Sequence, residues 1–282
     1  LQNCRVYGKV TVADNYERIY LGGLVGDNES DIMNCSAGTA DAPLQIVCNN
    51  AVLEGTPSAV GGLIGRCWID RCNNQDYQKT ITLTNVTHNV FLETNAAYAG
   101  GLIGLNRDIF PLPITIENST ITTAITRTDT SALTAETSGF GGLVGKLDGA
   151  GYNNSRPLSI SGTTVNCKLN IDADDDCTPS VGGIFGQVNN QANNVNLEGF
   201  TMNGEGNTLT GTINSLSENT GKFAGVLRYK SGSSNSGCWV NGSYLDALCA
   251  GTTAEKRAVP GWTITLVSNN ESIGDPCTLK KS

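Results

Sequence analysis

Few residues of this sequence have the types and spacing that catalysis needs. His88 is the one histidine among 282 residues, and no serine nucleophile or carboxylate motif stands beside it. A histidine acts as a general base only when an acid or a nucleophile lies within reach, so we expect His88 to be an ordinary surface or loop residue. No carboxylate recurs at fixed intervals, as the acidic wall of a polysaccharide-degrading β-helix would require. We predict that the chain is not an enzyme and uses no cofactor.

One acidic cluster has a spacing that could bind a cation. Asp172, Asp174 and Asp176 resemble the first three ligand positions of a calcium loop. The sixth position is Cys177 where such a loop has glycine, and the twelfth is Gly183 where it has glutamate. We therefore expect a solvated turn, and keep a weak calcium site as the alternative.

The ten cysteines indicate disulfide chemistry in an oxidising compartment. One histidine and no paired Cys-x-x-Cys argue against zinc. Sequence separation suggests local pairs, although it cannot fix the connectivity. The candidates are Cys67–Cys72, Cys167–Cys177, Cys238–Cys249, Cys35–Cys48, and either an intermolecular Cys4–Cys277 or Cys4–Cys35.

Asn-x-Ser/Thr sequons also fit a secreted protein, because they are acceptors for N-linked glycans. There are seven of them, at Asn28, Asn34, Asn85, Asn118, Asn153, Asn241 and Asn270. A chain rich in asparagine and threonine also produces sequons by chance. We predict that several of them carry glycan.

These residues must be positioned by a repeat that runs through most of the chain. The pentapeptide Gly-Gly-Leu-Val-Gly begins at Gly22 and returns, with small changes, at Gly61, Gly100, Gly141 and Gly182. A worn copy is aligned at Ala224–Leu227, which gives intervals of 39, 39, 41, 41 and 42 residues. A constant period of this size indicates stacked structural units.

Each repeat also contains alternating segments typical of half-buried strands, such as Thr80–Thr84 and Leu158–Ile160. The pentapeptide itself is interpreted as a short strand, with Val60, Gly62 and Ile64 on one face. We predict an all-β fold, a parallel β-solenoid or β-helix of about six to seven coils, with about 40 residues and three strands per coil. A propeller blade has a similar period but needs four strands.

The repeated Gly-Gly-Leu-(Val/Ile)-Gly resembles the GLUG motif in the repeat regions of large, adhesin-like cell-surface proteins. The resemblance covers the chain up to about Lys230 and implies a surface or extracellular repeat protein. It implies no catalytic residue.

The pattern changes after Gly237, so we divide the chain into repeats over 1–237 and a C-terminal coil over 238–282. Trp262, Ile264 and Leu266 lie in a segment, 262–267, that resembles the first strand of other coils, whereas the first coil lacks that strand. The segment either caps its own last coil or is donated to the first coil of another copy, which would produce a filament.

The composition of the chain argues against nucleic acid and membranes as partners. The net charge of −8 disfavours nucleic acid and anionic membranes, and no apolar run is long enough to cross a bilayer. The chain begins at Leu1, where we expect a mature or trimmed terminus. We predict an extracellular or cell-surface glycoprotein that forms a homopolymer head to tail. The alternative is an adhesin-type module that binds a host protein or glycan. A polysaccharide-degrading enzyme ranks lower because no carboxylate recurs at a fixed place in successive coils. An ice-binding protein ranks lower because the offsets of the threonines from the pentapeptides vary.

Overall fold

The structure is a computed structural model. It describes residues 1–12, 18–49, 58–68, 80–108, 114–127, 129, 133–134, 137–149, 158–174, 176–190, 202–203, 205–230, 237–239 and 261–269. These residues form 27 strands, numbered β1 to β27 in chain order, and contain no helix. The strands make four sheets, here named A to D. The predicted all-β class is confirmed.

Two of the sheets hold the strands that come first in each coil. Sheet A contains β5 (Ile32–Met33), β10 (Ile81–Thr84), β14 (Ile114–Glu117), β18 (Leu158–Ser161) and β22 (Met202–Asn203). Sheet B contains β1 (Arg5–Val6), β2 (Lys9–Val12), β6 (Ser36–Ala37), β7 (Leu44–Cys48), β11 (Thr87–Thr94), β15 (Thr120–Arg127), β19 (Thr164–Ile171), β23 (Asn207–Asn214) and β27 (Trp262–Ser268).

The other two sheets hold the strands on either side of the pentapeptide. Sheet C contains β3 (Tyr20–Gly22), β8 (Ala59–Gly61), β12 (Tyr98–Gly100), β16 (Gly139–Gly141), β20 (Val181–Gly182) and β24 (Thr220–Gly221). Sheet D contains β4 (Val25–Asn28), β9 (Ile64–Cys67), β13 (Ile103–Asp108), β17 (Val144–Gly149), β21 (Phe185–Asn190), β25 (Ala224–Lys230) and β26 (Gly237–Trp239).

The chain visits the sheets in the order A, B, C, D and then starts the next layer. β10, β11, β12 and β13 form one such turn, and each pairs in parallel with its equivalent in the next turn, β14 to β17. Among the described strands only β25 and β26 pair antiparallel. This arrangement is solenoid-like, as predicted, but the prediction of three strands per coil is wrong because the turn at the pentapeptide creates a fourth.

One apolar core runs along the stack. Alternate residues of the strands in sheets A and B point inward, and the parallel register places them in columns. In sheet A the column is Ile32, Leu83, Ile116 and Ile160, all with at most 1% of their surface exposed. Because each layer covers the next, the buried area grows with every added turn.

The pentapeptide is a corner and not one strand. β8 ends at Gly61, the chain bends at Gly62 and Leu63, and β9 begins at Ile64. Val60, Leu63 and Ile64 are all fully buried, so the predicted division into two faces is wrong. A bend lets consecutive apolar residues enter the same core, which a straight strand cannot do.

The corner needs glycine because the backbone is crowded there. A Cβ atom on Gly100 would overlap with the carbonyl oxygen of Ile103. From the second copy onward, the third glycine faces the backbone of sheet C in the preceding layer; for Gly104 the neighbour is Val60. None of these glycines has a positive φ, so space and not backbone conformation selects them.

The register also corrects two alignments made from the sequence. Gly182 pairs with Gly221 and Phe185 with Ala224, so the sixth copy is Gly221–Gly225, after an interval of 39 residues, and not Ala224–Leu227. β27 pairs with β23 in sheet B, so it is not equivalent to the first strand of other coils, which lies in sheet A. Within this chain it extends its own sheet.

Candidate functional site

The corner between sheets A and B carries a row of residues with left-handed backbone. Each lies one or two residues before a strand of sheet B, one residue per turn, and is either asparagine or glycine. From Asn34 to Gly206 each also follows a strand of sheet A. Their φ values lie between 50° and 79°, at Asn3, Asn34, Asn85, Asn118, Gly162, Gly206 and Gly261. Asparagine and glycine are the residues that adopt this conformation at the lowest cost, which explains why no other type occupies the corner.

The asparagine side chains form a ladder along the outside of the stack. Nδ2 of Asn34 donates a hydrogen bond to Oδ1 of Asn3 at 3.3 Å, and Nδ2 of Asn85 donates to Oδ1 of Asn34 at 2.9 Å. Successive rungs are separated by the strand spacing of about 4.8 Å. The ladder therefore adds side-chain bonds between layers to the backbone bonds of the sheets.

Three of the predicted glycosylation sites lie in this row of left-handed residues. Asn34, Asn85 and Asn118 are exposed. The third residue of each sequon is an outward-facing residue of sheet B: Ser36, Thr87 and Thr120 respectively. These sequons thus follow from geometry, because a left-handed corner and an outward hydroxyl lie two residues apart in every layer after the first, where Arg5 has the outward position.

Of the four remaining predicted glycosylation sites, only Asn28 lies within the described residues. Asn28 is only 2% exposed, and its Nδ2 donates to the carbonyl oxygen of Ser30 at 2.8 Å. A glycan on this amide would have to displace a buried hydrogen bond, so the folded structure disfavours Asn28 as an acceptor. Asn153, Asn241 and Asn270 lie outside the described residues.

The outer face of sheet B holds a column of hydroxyl side chains. In register they are Ser36, Thr87, Thr120, Thr164, Thr208 and Thr263. A second column, two residues further along each strand, contains only asparagine and threonine: Asn89, Thr122, Asn166, Thr210 and Thr265. The threonine offsets from the pentapeptides do vary, but connections of unequal length between sheets B and C absorb this variation and the columns stay in register.

The cysteine predictions have mixed outcomes. Cys35 and Cys48 cannot pair, because Ser36 lies opposite Thr87 and Cys48 opposite Thr94, which places them about 23 Å apart along the strand direction. Cys167 and Cys177 are not bonded either: Sγ of Cys177 accepts from Arg127, which lies opposite Ile171, whereas Cys167 faces Gly142.

Cys4 and Cys35 are stacked on adjacent layers. The amide of Cys4 lies 3.4 Å from Sγ of Cys35, and both thiols are free in this structure. Of the proposed partners, this pair has the separation that a disulfide needs. Cys67 is a buried free thiol, and burial raises its pKa to about 12. Its predicted partner Cys72, together with Cys249 and Cys277, lies outside the described residues, as does the side chain of Cys238.

His88 is buried and not on the surface as expected. It is 1% exposed and occupies an inward column of sheet B between Ala37 and Ile121. Its Nε2 lies 3.1 Å from Oγ1 of Thr123, and Nδ1 has no partner. Burial lowers the pKa of His88 from 6.5 to about 3, so the ring is neutral and part of the core. The imidazole fits because it packs against Gly62, where no side chain competes for the space.

Sequence reasoning missed two buried cations in sheet D. Arg66 is ion-paired with Asp27, and its guanidinium lies 3.9 Å from the ring centre of Tyr20 and 4.2 Å from that of Trp68. Nζ of Lys146 donates to the hydroxyl of Tyr98 at 3.1 Å. Both follow the last glycine of a pentapeptide directly, and this fixed position is the signal that could have revealed them.

The acidic cluster is a turn. The carboxylate of Asp174 accepts from the amide of Asp176 at 3.0 Å, while Asp174 and Cys177 exchange backbone bonds. The calcium candidate is not assembled, since the described residues contain no group of three or more potential metal ligands. In the same part of the chain, no helix is long and apolar enough to cross a membrane.

The two ends of sheet B complete the description. β1 and β2 pair with β6 and β7, and β27 pairs with β23, each on one side within the described residues. The inward residues Val6, Val10 and Val12 are half-buried, whereas their equivalents Ala37, Ile46 and Cys48 in the next layer are fully buried.

No known family model, curated protein or solved structure matches this chain. The resemblance to GLUG repeats therefore stays a prediction that rests on the pentapeptide.

Proposed function

We propose that this chain is an extracellular structural protein, a glycosylated subunit of a surface filament that assembles head to tail. The observation that carries the proposal is the geometry of sheet B, whose strands are parallel and in register from β1 to β27. Its two edge strands point in the same direction. A second copy can therefore continue the sheet without reversing it, and such a contact repeats without closing.

Apolar burial supports the same assembly. Half-buried Val6, Val10 and Val12 at one end, and exposed Val267 at the other, would lose water on stacking. Each apolar Å² buried contributes about 25 cal/mol. The cysteine content and the exposed sequons support an oxidising, extracellular setting.

If the register of sheet B continues from one copy into the next, it predicts which residues meet at the junction, and this prediction can be tested. The column Lys9, Gln45, Phe91, Ala124, Lys168, Thr212 and Val267 would place Val267 of one copy against Lys9 of the next. Val267→Lys should shorten or abolish filaments because like charges directly opposite one another destabilise a sheet. Val267→Glu is the matched control and should still assemble, because it places a negative charge opposite Lys9.

Electron microscopy and sedimentation of unreduced protein provide the readout. Long filaments from the original chain and from Val267→Glu, short ones or single particles from Val267→Lys, and rescue by adding Lys9→Glu would support the proposal. Single particles from the original sequence at all concentrations would reject the filament and leave the adhesin-type module.

A second candidate function is ice binding, favoured by the in-register threonine column. Its hydroxyls repeat at about 4.8 Å across the strands and about 6.7 Å along them, and χ1 of threonine is stiff. Thr164→Tyr should abolish thermal hysteresis and inhibition of ice recrystallisation. Thr115→Tyr, on the outer face of sheet A, is the control. Absence of both activities in the unmodified protein would eliminate this candidate.

A further inference from the structure

We infer that Asn118 is the glycan acceptor of the corner between sheets A and B, and that Asn34 and Asn85 serve as unmodified rungs of the ladder. This inference rests on the glycosylation part of the proposed function. It assigns different roles to three sequons that look alike in the sequence. The distinction comes from what each amide contacts and from what lies beside it.

The first line of evidence is hydrogen bonding. The Nδ2 atoms of Asn34 and Asn85 both donate to the asparagine of the layer before. The side-chain amide of Asn118 makes no hydrogen bond in the described structure. A glycan is attached through Nδ2, so modification of Asn34 or Asn85 alters the atom that holds the ladder together, whereas modification of Asn118 disturbs no existing bond.

The second line of evidence is space. Asn34 and Asn85 each have an asparagine side chain on both neighbouring rungs, at the strand spacing of about 4.8 Å. A pyranose ring with its equatorial substituents is broader than this gap. Asn118 has the side chain of Asn85 on one side only, because the next rung is Gly162. A Cβ placed on Gly162 would already lie 2.8 Å from Oδ1 of Asn118, so glycine keeps this side open.

The hydroxyl of the third sequon residue is also exposed. Thr120, the third residue of the sequon, is exposed at the start of β15. Ser119 between them is turned inward, where its Oγ accepts from the amide of Val86 at 3.1 Å and donates to the carbonyl of Glu117 at 2.8 Å. The amide of Asn118 and the hydroxyl of Thr120 therefore both face solvent at the corner.

The chemistry needs a lipid diphosphate-linked oligosaccharide as the donor. Nδ2 of Asn118 forms a bond to the anomeric carbon of the sugar, the bond from that carbon to the diphosphate oxygen breaks, and Nδ2 loses one proton. The lipid diphosphate leaves with the bonding electron pair. No oxidant or metal of this chain takes part.

The test is site-resolved glycan mapping of the full chain secreted from a eukaryotic host. Enzymatic removal of N-glycans in heavy-oxygen water marks each occupied asparagine as labelled aspartate, which mass spectrometry quantifies. We expect label at Asn118 and less than about one tenth of that occupancy at Asn34 and Asn85. Thr120→Val, which keeps Asn118 but removes its sequon, should eliminate the corner glycan while the protein is still secreted.

Equal occupancy of Asn34, Asn85 and Asn118 would overturn the inference, and so would glycan at Asn34 or Asn85 with none at Asn118. A chain without glycan at any sequon would overturn both the inference and the glycosylated character of the proposed subunit. Electron microscopy of the same preparation scores filament formation independently, so a failed inference and a failed filament are separate results.

Discussion

Two corners of each coil depend on glycine or asparagine, and the comparison between them separates two physical causes. At the corner between sheets C and D, the glycines have ordinary φ values, but a Cβ would strike neighbouring backbone. At the corner between sheets A and B, φ is positive and a Cβ would meet no backbone atom closely. A Cβ added to Gly206 would have its nearest neighbouring atom 4.0 Å away, and one added to Gly162 would come closest to a side-chain atom, Oδ1 of Asn118, at 2.8 Å. The first corner excludes side chains by volume, the second by backbone conformation.

The difference explains what each corner tolerates. Asparagine replaces glycine at the A–B corner in four of the seven turns, because its backbone adopts the left-handed region at low cost. The side chains of Asn34 and Asn85 also bond to the layer before. The first glycine at the C–D corner is kept in every copy, from Gly22 to Gly221, because even a methyl group has no room there. The A–B corner can therefore evolve a ladder, whereas the C–D corner cannot.

The largest expected effect is at the crowded corner. Gly100→Ala should lower the free energy of unfolding by at least about 3 kcal/mol, because its Cβ meets the backbone of Ile103, which cannot move away. Gly206→Ala, at the open corner, should cost only about 1–2 kcal/mol for its left-handed conformation. Denaturant unfolding of both variants measures the difference, and a larger loss for Gly206→Ala would contradict the distinction between the corners.

Two substitutions at one rung separate the energetic cost of the left-handed backbone from that of the lost ladder hydrogen bond. Asn85→Ala should cost about 2–3 kcal/mol, the sum of left-handed strain and a lost ladder bond. Asn85→Gly removes only the bond and should cost about 1 kcal/mol. Thermal and denaturant melting should rank the original chain first, Asn85→Gly second and Asn85→Ala last. Equal losses for both variants would show that φ is not the reason for asparagine at this rung.

His88, which packs behind Gly62, provides a test by pH. Its pKa is about 3 in the folded chain and about 6.5 in the unfolded chain, so the unfolded state binds more protons between these values. Stability from the neutral ring is therefore fully present above pH 6.5 and falls as the pH decreases, by up to about 1.4 kcal/mol per pH unit.

His88→Gln removes this contribution and keeps a polar group near Thr123. Unfolding free energies of the two proteins between pH 7 and pH 5 should converge as the pH falls. The carboxylates titrate alike in both proteins and cancel in the difference. Two parallel curves would mean that the pKa of His88 is the same in the folded and the unfolded chain.

The smallest effect comes from extending the ladder. Gly162→Asn should change stability by less than about 1 kcal/mol, with a gain if its amide bonds to Oδ1 of Asn118. Gly162→Asp is the control, because aspartate tolerates the left-handed region much as asparagine does but has no amide to donate. Both variants should be made in a host without N-glycosylation, since asparagine at this position creates a sequon. Identical melting of the two would show that the ladder ends at Asn118 for another reason.

Much of the fold could be predicted from the sequence. For the candidate site, the residue types could be predicted but their arrangement could not. The repeat period indicated stacked parallel turns, because self-similar segments bury their apolar residues on one another. The sequons and threonines were visible as residue types. Their arrangement in one corner and one column was not, because threonine offsets from the next pentapeptide vary from 13 residues at Thr87 to 21 at Thr120. Neither the burial of His88 nor the separation of Cys35 from Cys48 has a local signal.

The sequence by itself determined the stack and the two kinds of corner residue, since these depend on short-range properties: the volume of a side chain, the cost of a positive φ, and the alternation of apolar residues along a strand. Only the tertiary structure decided which residues of different layers become neighbours. Register is set by packing across the whole core, and connections of unequal length disguise it in the linear order. For this reason three similar sequons become two structural rungs and one open acceptor only once the layers are stacked.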